Sequence, residues 1–197
     1  MLKIALVGKA RSGKDTIAEY ADDKYKMYQM AFGDELKKQF HQTYPHIPRV
    51  PKPVRGYQLF GQLQRYVVDK DIWIDSLFEK IKLFNDWANS YNITGKMPDF
   101  NPIVTDVRQA NEVARLKEEG FVLIRVSCPE EIRLERMRAA GDSVTLSDLN
   151  FETETELDSF EVDFEIINDG SLEQLYSRFD EIMLKLTIKN VQKDIDS

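Results

Sequence analysis

The sequence predicts a three-layer α/β fold with a central, mainly parallel five-stranded sheet. Three observations carry that expectation. Residues 2 to 16, LKIALVGKARSGKDT, read as a strand, a glycine-rich loop and a helix start. Residues 102 to 127 read as a strand, a helix and a second strand, and that crossover implies parallel strands. Five apolar runs, at 2–7, 27–32, 103–106, 121–127 and 162–167, are separated by segments of helical periodicity.

In the first stretch the spacing Gly8-Lys9-Ala10-Arg11-Ser12-Gly13-Lys14 satisfies GxxxxGK, a phosphate loop (P-loop). Gly8 and Gly13 let the backbone wrap its N–H groups around phosphate oxygens, and Lys14 sets a point charge between the last two phosphates. The helix that follows turns the positive end of its dipole toward the same anion. Ile17, Tyr20 and Ala21 form the stripe that packs it on the sheet. Asp15 stands where such loops usually carry a Ser or Thr for Mg²⁺, and Thr16 comes one place later. A carboxylate also offers Mg²⁺ hard oxygen.

Further along, MYQMAF (27–32) reads as the second strand and ELKKQFHQTY as a helix, with Lys37 on its first turns. Four prolines in 45–55 predict an extended surface loop. Leu59, Phe60, Leu63, Tyr66 and Val67 mark one helix, and Ile74, Leu77, Phe78 and Ile81 a second. From Lys82 to Pro102 the pattern fades into what reads as a helix end and an irregular connection. A helix from about Gln109 to Glu119 is stopped by Gly120, and another follows Pro129. Gly141 and a following loop resemble a hinged lid. Asn168-Asp169-Gly170 turns the chain, and Ser171 with Gln174 predicts a capping box for the last helix.

At 197 residues the chain is expected to form one domain, with a helical acceptor region at about 33–102 and a lid at about 133–160. No apolar run approaches the length of a membrane span and no signal peptide is evident, so a cytoplasmic location and no membrane partner are expected. The net charge of −7 argues against nucleic acid as a partner, since displacing counterions needs a basic face. Residues 142 to 165 hold nine Asp or Glu and no Lys or Arg, a solvated acidic flap. The single Cys128 excludes an intrachain disulfide and reads as a small core residue.

Phosphoryl transfer asks the protein for positioning and for cancellation of charge. Asp106, at a strand end and out of register with its apolar run, reads either as a second acidic group for Mg²⁺ or as an N-cap ahead of Gln109. Arg108 leaves the same edge and suits a clamp on an acceptor phosphate; the alternative is a weak ion pair with Glu112. Arg133 and Arg136 share a helix face, which favours an anion between them, or pairing with Glu130 and Glu135.

Taken together, GKARSGKDT (8–16), AFGDELK (31–37), RGYQLFGQ (55–62), DIW (71–73), TDVRQANE (105–112) and INDGSLEQL (167–175) resemble the bacteriophage-type deoxynucleoside monophosphate kinases. That resemblance implies the P-loop NTPase fold of nucleoside monophosphate kinases and transfer of the γ-phosphate of ATP to a deoxynucleoside 5′-monophosphate. It implies that ATP lies on Gly8 to Thr16 and near Asp169 and Gly170, with Mg²⁺ held by Asp15 and Asp106. Lys37, Arg55, Arg65 and Arg108 would line the acceptor side, and Arg133 and Arg136 would be lid arginines; the aromatics Phe32, Trp73 and Tyr57 favour a base that stacks there, and equally read as ordinary core residues. A bacterial host cytoplasm and a homodimer are compatible with it. Phosphomevalonate kinases look similar in the GKD loop and the Asp-x-Arg segment, so a kinase of another phosphorylated metabolite is the alternative. A third reading is a nucleotide-gated binding protein without turnover, but cations spread over four segments argue for a second phosphate-bearing ligand.

Overall fold

In the computed structural model, which describes residues 1–92, 99–139 and 156–195, β1 (Ile4–Val7) is buried along its whole length. A run of apolar residues without alternation requires cover on both faces of the sheet. The chain continues through α1 (Lys14–Tyr25), β2 (Tyr28–Met30), α2 (Phe32–Thr43), α3 (Val54–Val67), α4 (Ile72–Asn92), β3 (Pro102–Val107), α5 (Ala110–Glu118), β4 (Val122–Ser127) and α6 (Glu130–Ala139). A 3-10 turn at Glu156–Ser159, β5 (Phe164–Ile167) and α7 (Leu172–Ile195) complete it. The strands lie in the order β2-β3-β1-β4-β5, and every neighbouring pair is parallel. Each predicted strand is therefore present, in a sheet more uniformly parallel than expected.

Alternation along β1 sorts the two helical layers. Ala5 and Val7 face a core built with Leu77 and Phe78 of α4 and Val113 and Leu116 of α5. Ile4 and Leu6 face Ile17, Ala18 and Ala21 of α1 and Leu175, Phe179 and Ile182 of α7. A smaller cluster of Phe40, Phe60 and Trp73 joins α2, α3 and α4 beside the sheet.

One boundary differs from expectation. The helix expected to fade at Lys82 continues to Asn92, ten residues further. Phe84 stacks on Phe100 with ring centroids 5.8 Å apart, and Ala88 is buried one turn later, so the packed face is unbroken. Leu83, Trp87 and Tyr91 on the outer face are exposed and apolar, which blurred the periodicity in the sequence. Residues 93–98 lie outside the described residues, as does most of the expected lid, including the hinge at Gly141.

Two of the helix starts at the sheet's carboxyl edge carry capping boxes, the one on the last helix as the sequence predicts. Gln109 and Glu112 form a capping box on α5, and Ser171 and Gln174 form one on α7. Gly120, at φ 76°, ends α5 in the left-handed conformation. Gly8, Asp106, Cys128 and Asn168 thus come to one edge, at the carboxyl ends of β1, β3, β4 and β5, where α/β sheets bind ligands. Among the described residues no helix is long and apolar enough to cross a membrane.

Candidate active site

The loop after β1 is shaped by contacts to its carbonyls. The Lys14 ammonium donates to Gly8 O at 2.6 Å and Lys9 O at 3.0 Å. Arg133 Nε donates to Ala10 O at 2.9 Å, Arg136 to Arg11 O at 3.3 Å, and Asn168 Nδ2 to Ser12 O at 2.8 Å. Two glycines answer steric demands. A Cβ on Gly8 would stand 2.4 Å from Val126 O, and one on Gly13, which has φ 108°, would stand 2.2 Å from Asn168 Nδ2. Gly13 is also the N-cap of α1, so the helix begins at the phosphate end of the loop.

Arg133 and Arg136 do share one face and do converge on the loop. Each donates to a loop carbonyl, Arg136 also reaches Asn168 Oδ1 and Cys128 Sγ, and Arg133 is only 6 % exposed. A guanidinium between two elements satisfies an otherwise unpaired carbonyl, which a glutamate one turn away cannot do. Cys128 is a correction. It is partly exposed, with its sulfur 3.5 Å from Arg136, so it is no core residue; burial still pushes its thiol above the ordinary range against the pull of Arg136 and Arg133. Lys9 reaches Asp158 of the 3-10 turn at 2.6 Å.

A cleft of about 1520 Å³ runs from Gly13, Lys14, Asp15 and Thr16 past Asp106 to α3. Eight cationic side chains and three carboxylates line it, so within a chain of charge −7 this cleft selects anions. Lys37 lines it and pairs loosely with Asp34 at 3.4 Å. Arg55, Arg65 and Arg108 also line it, and none of the three guanidiniums makes a hydrogen bond or ion pair among the described residues. Phe32 and Trp73 line the cleft but are almost wholly buried. Phe32 belongs to the core under β3, and Trp73, 1 % exposed, donates its indole N–H to Gly61 O. Their rings are consumed by packing because α2 and α4 meet there.

Asp106 has a role that its spacing did not announce. Its Oδ1 accepts from Phe32 N at 2.8 Å and its Oδ2 from Gly33 N at 2.9 Å, so it caps α2, not the helix next to it in sequence. Burial raises its pKa against those two amides and against Arg108 and Lys37. Glu112 likewise has no bond to the Arg108 side chain: its Oε2 accepts from the backbone N–H of Arg108 at 2.7 Å and of Gln109 at 3.0 Å. Burial, with the Asp106 charge adding to it, pushes Glu112 from an ordinary 4.5 to about 7 in spite of those amides and Arg65.

A carboxyl whose pKa is higher folded than unfolded stabilises below the unfolded value, and that stability is lost as pH rises through the folded one. Glu112 thus costs the fold stability between pH 4.5 and 7. Glu112→Gln keeps an acceptor for the capping box. Relative to wild type the variant should therefore gain about 1–3 kcal/mol on going from pH 4.5 to pH 8. Urea unfolding at the two pH values checks this, and parallel pH profiles would refute it.

Asp169, expected near ATP, pairs with Arg178 at 2.8 Å, and that guanidinium holds the exposed carboxyl below its ordinary range; Arg178 also bonds Ile167 O. Gly170 lines the cleft beside Arg136 and Asn168. The donor set fits Mg²⁺ of the kind held mainly by substrate phosphates, which needs one or two carboxylates from protein. Asp15 is exposed on the cleft with Thr16 beside it and Asp106 across from it. Among the described residues no group of three or more His, Cys, Asp or Glu could hold a metal by itself.

The least legible contributor was Asn168. It is 4 % exposed, and its backbone N–H donates to Ser127 O at 2.7 Å while its amide reaches the phosphate loop. Its position, directly after a strand end at the ligand edge, was the available signal, masked by the turn-forming Asp169-Gly170 that follows.

Comparisons with known proteins agree with this geometry. A Janibacter sugar kinase superposes with a TM-score of 0.51 at 17 % identity, covering 90 % of this chain and 91 % of its own. Shikimate kinase from Acinetobacter baumannii gives 0.51 at 14 %, covering 96 % and 94 %. The Aquifex aeolicus shikimate kinase gives 0.50 at 19 %, covering 96 % and 99 %. At these identities the likeness is one of fold. An Archaeoglobus fulgidus protein described as UPF0200/UPF0201 is 27 % identical over 99 % of this chain, which spans 58 % of that relative's length. A family model described as an AAA domain matches residues 4–157, from β1 to the 3-10 turn. With most of its length so matched, and with the parallel sheet and phosphate loop described above, the chain belongs to the AAA domain family and has the fold of a P-loop kinase.

Proposed function

We propose that this protein transfers the γ-phosphoryl group of ATP to the phosphate of a deoxynucleoside 5′-monophosphate. The observation that carries the reading is the set of three arginines, Arg55, Arg65 and Arg108, that line one cleft with the phosphate loop and whose guanidiniums make no hydrogen bond or ion pair among the described residues. In an acidic chain such cations are normally paired, so an anionic group on the acceptor is the ligand they fit.

In this reading the loop amides and Lys14 hold the β- and γ-phosphates of ATP, and Lys14 leaves its two loop carbonyls to do so. Mg²⁺ would be held by Asp15, with Asp106 facing the same space, and would supply neutralisation of charge between the phosphates. Arg108 positions the acceptor phosphate for in-line attack from the edge of β3. Arg133 and Arg136 bring positive charge from α6 to the loop. The protein's contribution is thereby orientation and electrostatic stabilisation, which is what a loose phosphoryl transfer state requires.

A second reading has its own support. The solved structures of similar fold include kinases named for shikimate and for sugars, and the nearly buried Phe32 and Trp73 offer little ring surface to a base. A non-nucleotide acceptor bearing a carboxylate or phosphate would also fit Arg55, Arg65 and Arg108. An ADP-release assay with ATP·Mg²⁺ across dNMPs, NMPs, phosphomevalonate and shikimate separates the readings. Turnover with dNMPs above the rest is expected; turnover confined to a non-nucleotide acceptor overturns the first reading. Arg108→Lys tests the clamp. A single ammonium cannot grip two phosphate oxygens, so KM for the monophosphate should rise about tenfold or more with KM for ATP nearly unchanged. Unchanged kinetics would remove Arg108 from the site.

A further inference from the structure

We propose that Asn168 is a positioning residue for the phosphate loop, setting the direction of the Gly13 amide by holding the carbonyl of Ser12. The inference rests on the nucleotide-binding half of the reading above and not on the acceptor. Asn168 stands one residue beyond β5, on a different strand from the loop, and its backbone is fastened to β4 through Ser127 O. Its side chain is sealed from water, with Nδ2 2.8 Å from Ser12 O and Oδ1 3.4 Å from the Arg136 guanidinium. The partners fix which way the amide faces: a carbonyl demands N–H, and a guanidinium demands oxygen. Asparagine alone among residues of this size offers both.

The bond matters because of where it acts. Ser12 O and the Gly13 N–H belong to one peptide plane, and in a trans peptide they point in opposite directions. Holding the carbonyl toward Asn168 therefore fixes the direction of the Gly13 N–H, opposite to that carbonyl, in a loop whose Gly13 and Lys14 line the cleft. Gly13 cannot hold that plane itself. It lacks a side chain and sits at φ 108°, and the space a Cβ would need is already filled by Asn168 Nδ2. The residue that excludes a side chain at Gly13 is thus the one that stands in for its missing restraint.

The discriminating variant is Asn168→Asp, which keeps the size and replaces the donor by a second acceptor. Its interaction with Arg136 strengthens, while an oxygen now opposes Ser12 O. If Asn168 acts through Ser12, the variant at pH 8 should bind ATP·Mg²⁺ about ten- to a hundredfold more weakly, as expected when a buried acceptor is left facing another. Lowering the pH should restore affinity, because the introduced carboxyl can then donate its proton to Ser12 O. Of the groups around it, the Cys128 thiol is pushed up and the Asp169 carboxyl is held low, which keeps both away from the interval between pH 5.5 and 8. Glu112, elsewhere in the cleft, does titrate there, and wild type measured at each pH cancels its contribution.

Isothermal titration of wild type, Asn168→Asp and Asn168→Leu with ATP·Mg²⁺ at pH 8 and 5.5 decides the matter, with circular dichroism confirming each fold. The expected result is weak binding by both variants at pH 8 and recovery to within about threefold of wild type at pH 5.5 by the aspartate variant alone. Wild-type affinity in Asn168→Asp at pH 8, or equal loss in both variants at both pH values, overturns the proposal. Absence of ATP binding by wild type would instead sink the kinase reading.

Discussion

Lys14→Ala is expected to remove turnover. The ammonium is the one fixed charge on the first turn of α1 that reaches over the loop, and a preorganised charge at a transferring phosphate is typically worth about 3 kcal/mol or more. That corresponds to a loss of kcat/KM of at least about a hundredfold. The loop should keep its shape, because Arg133, Arg136 and Asn168 hold its other carbonyls from outside. Steady-state kinetics with varied ATP, together with a thermal unfolding curve matching wild type, test both halves. A folded variant with wild-type kcat would remove Lys14 from the chemistry.

Asp106→Ala should produce the largest loss of stability among the cleft residues. Two backbone N–H groups at the start of α2 lose the carboxylate that accepts from them and the helix dipole loses its counter-charge. Each unsatisfied amide costs about 1–3 kcal/mol, part of which is recovered by removing a carboxylate whose burial is unfavourable, leaving a net cost of about 3 kcal/mol. Asp106→Asn keeps one acceptor and should fall between. Urea unfolding of the three proteins measures the series. Were Asp106 only a ligand for Mg²⁺, both variants would be at least as stable as wild type in metal-free buffer.

The two variants show where sequence reasoning reached and where it stopped. Strands and the phosphate loop are written in local patterns, an apolar run or a fixed glycine spacing, and each was placed within a residue or two. Several basic residues that line the cleft, Lys37, Arg55, Arg65 and Arg108, stood out in the sequence because they recur in separate segments of an acidic chain. What could not be read was the partner of each polar group. Asp106 caps a helix 74 positions away, and Asn168 holds a carbonyl 156 positions away. Those bonds exist because parallel strands bring distant carboxyl ends together, and no spacing rule encodes that pairing. For Trp73 and Phe32 the sequence left two readings open, because an aromatic looks the same whether its face packs in a core or meets a base; both line the cleft and both are almost wholly buried.

The carbonyls of Ala10, Arg11 and Ser12 are gripped by side chains from α6 and from the end of β5, and those of Gly8 and Lys9 by Lys14 at the start of α1. Exchanging the side chain at position 10 leaves every one of those bonds in place, whereas exchanging Arg133 or Asn168, far away in the chain, does not. The tolerance of this protein to mutation should therefore be distributed in an unexpected way, with freedom at a position inside the nucleotide loop and strictness in the scaffold that surrounds it.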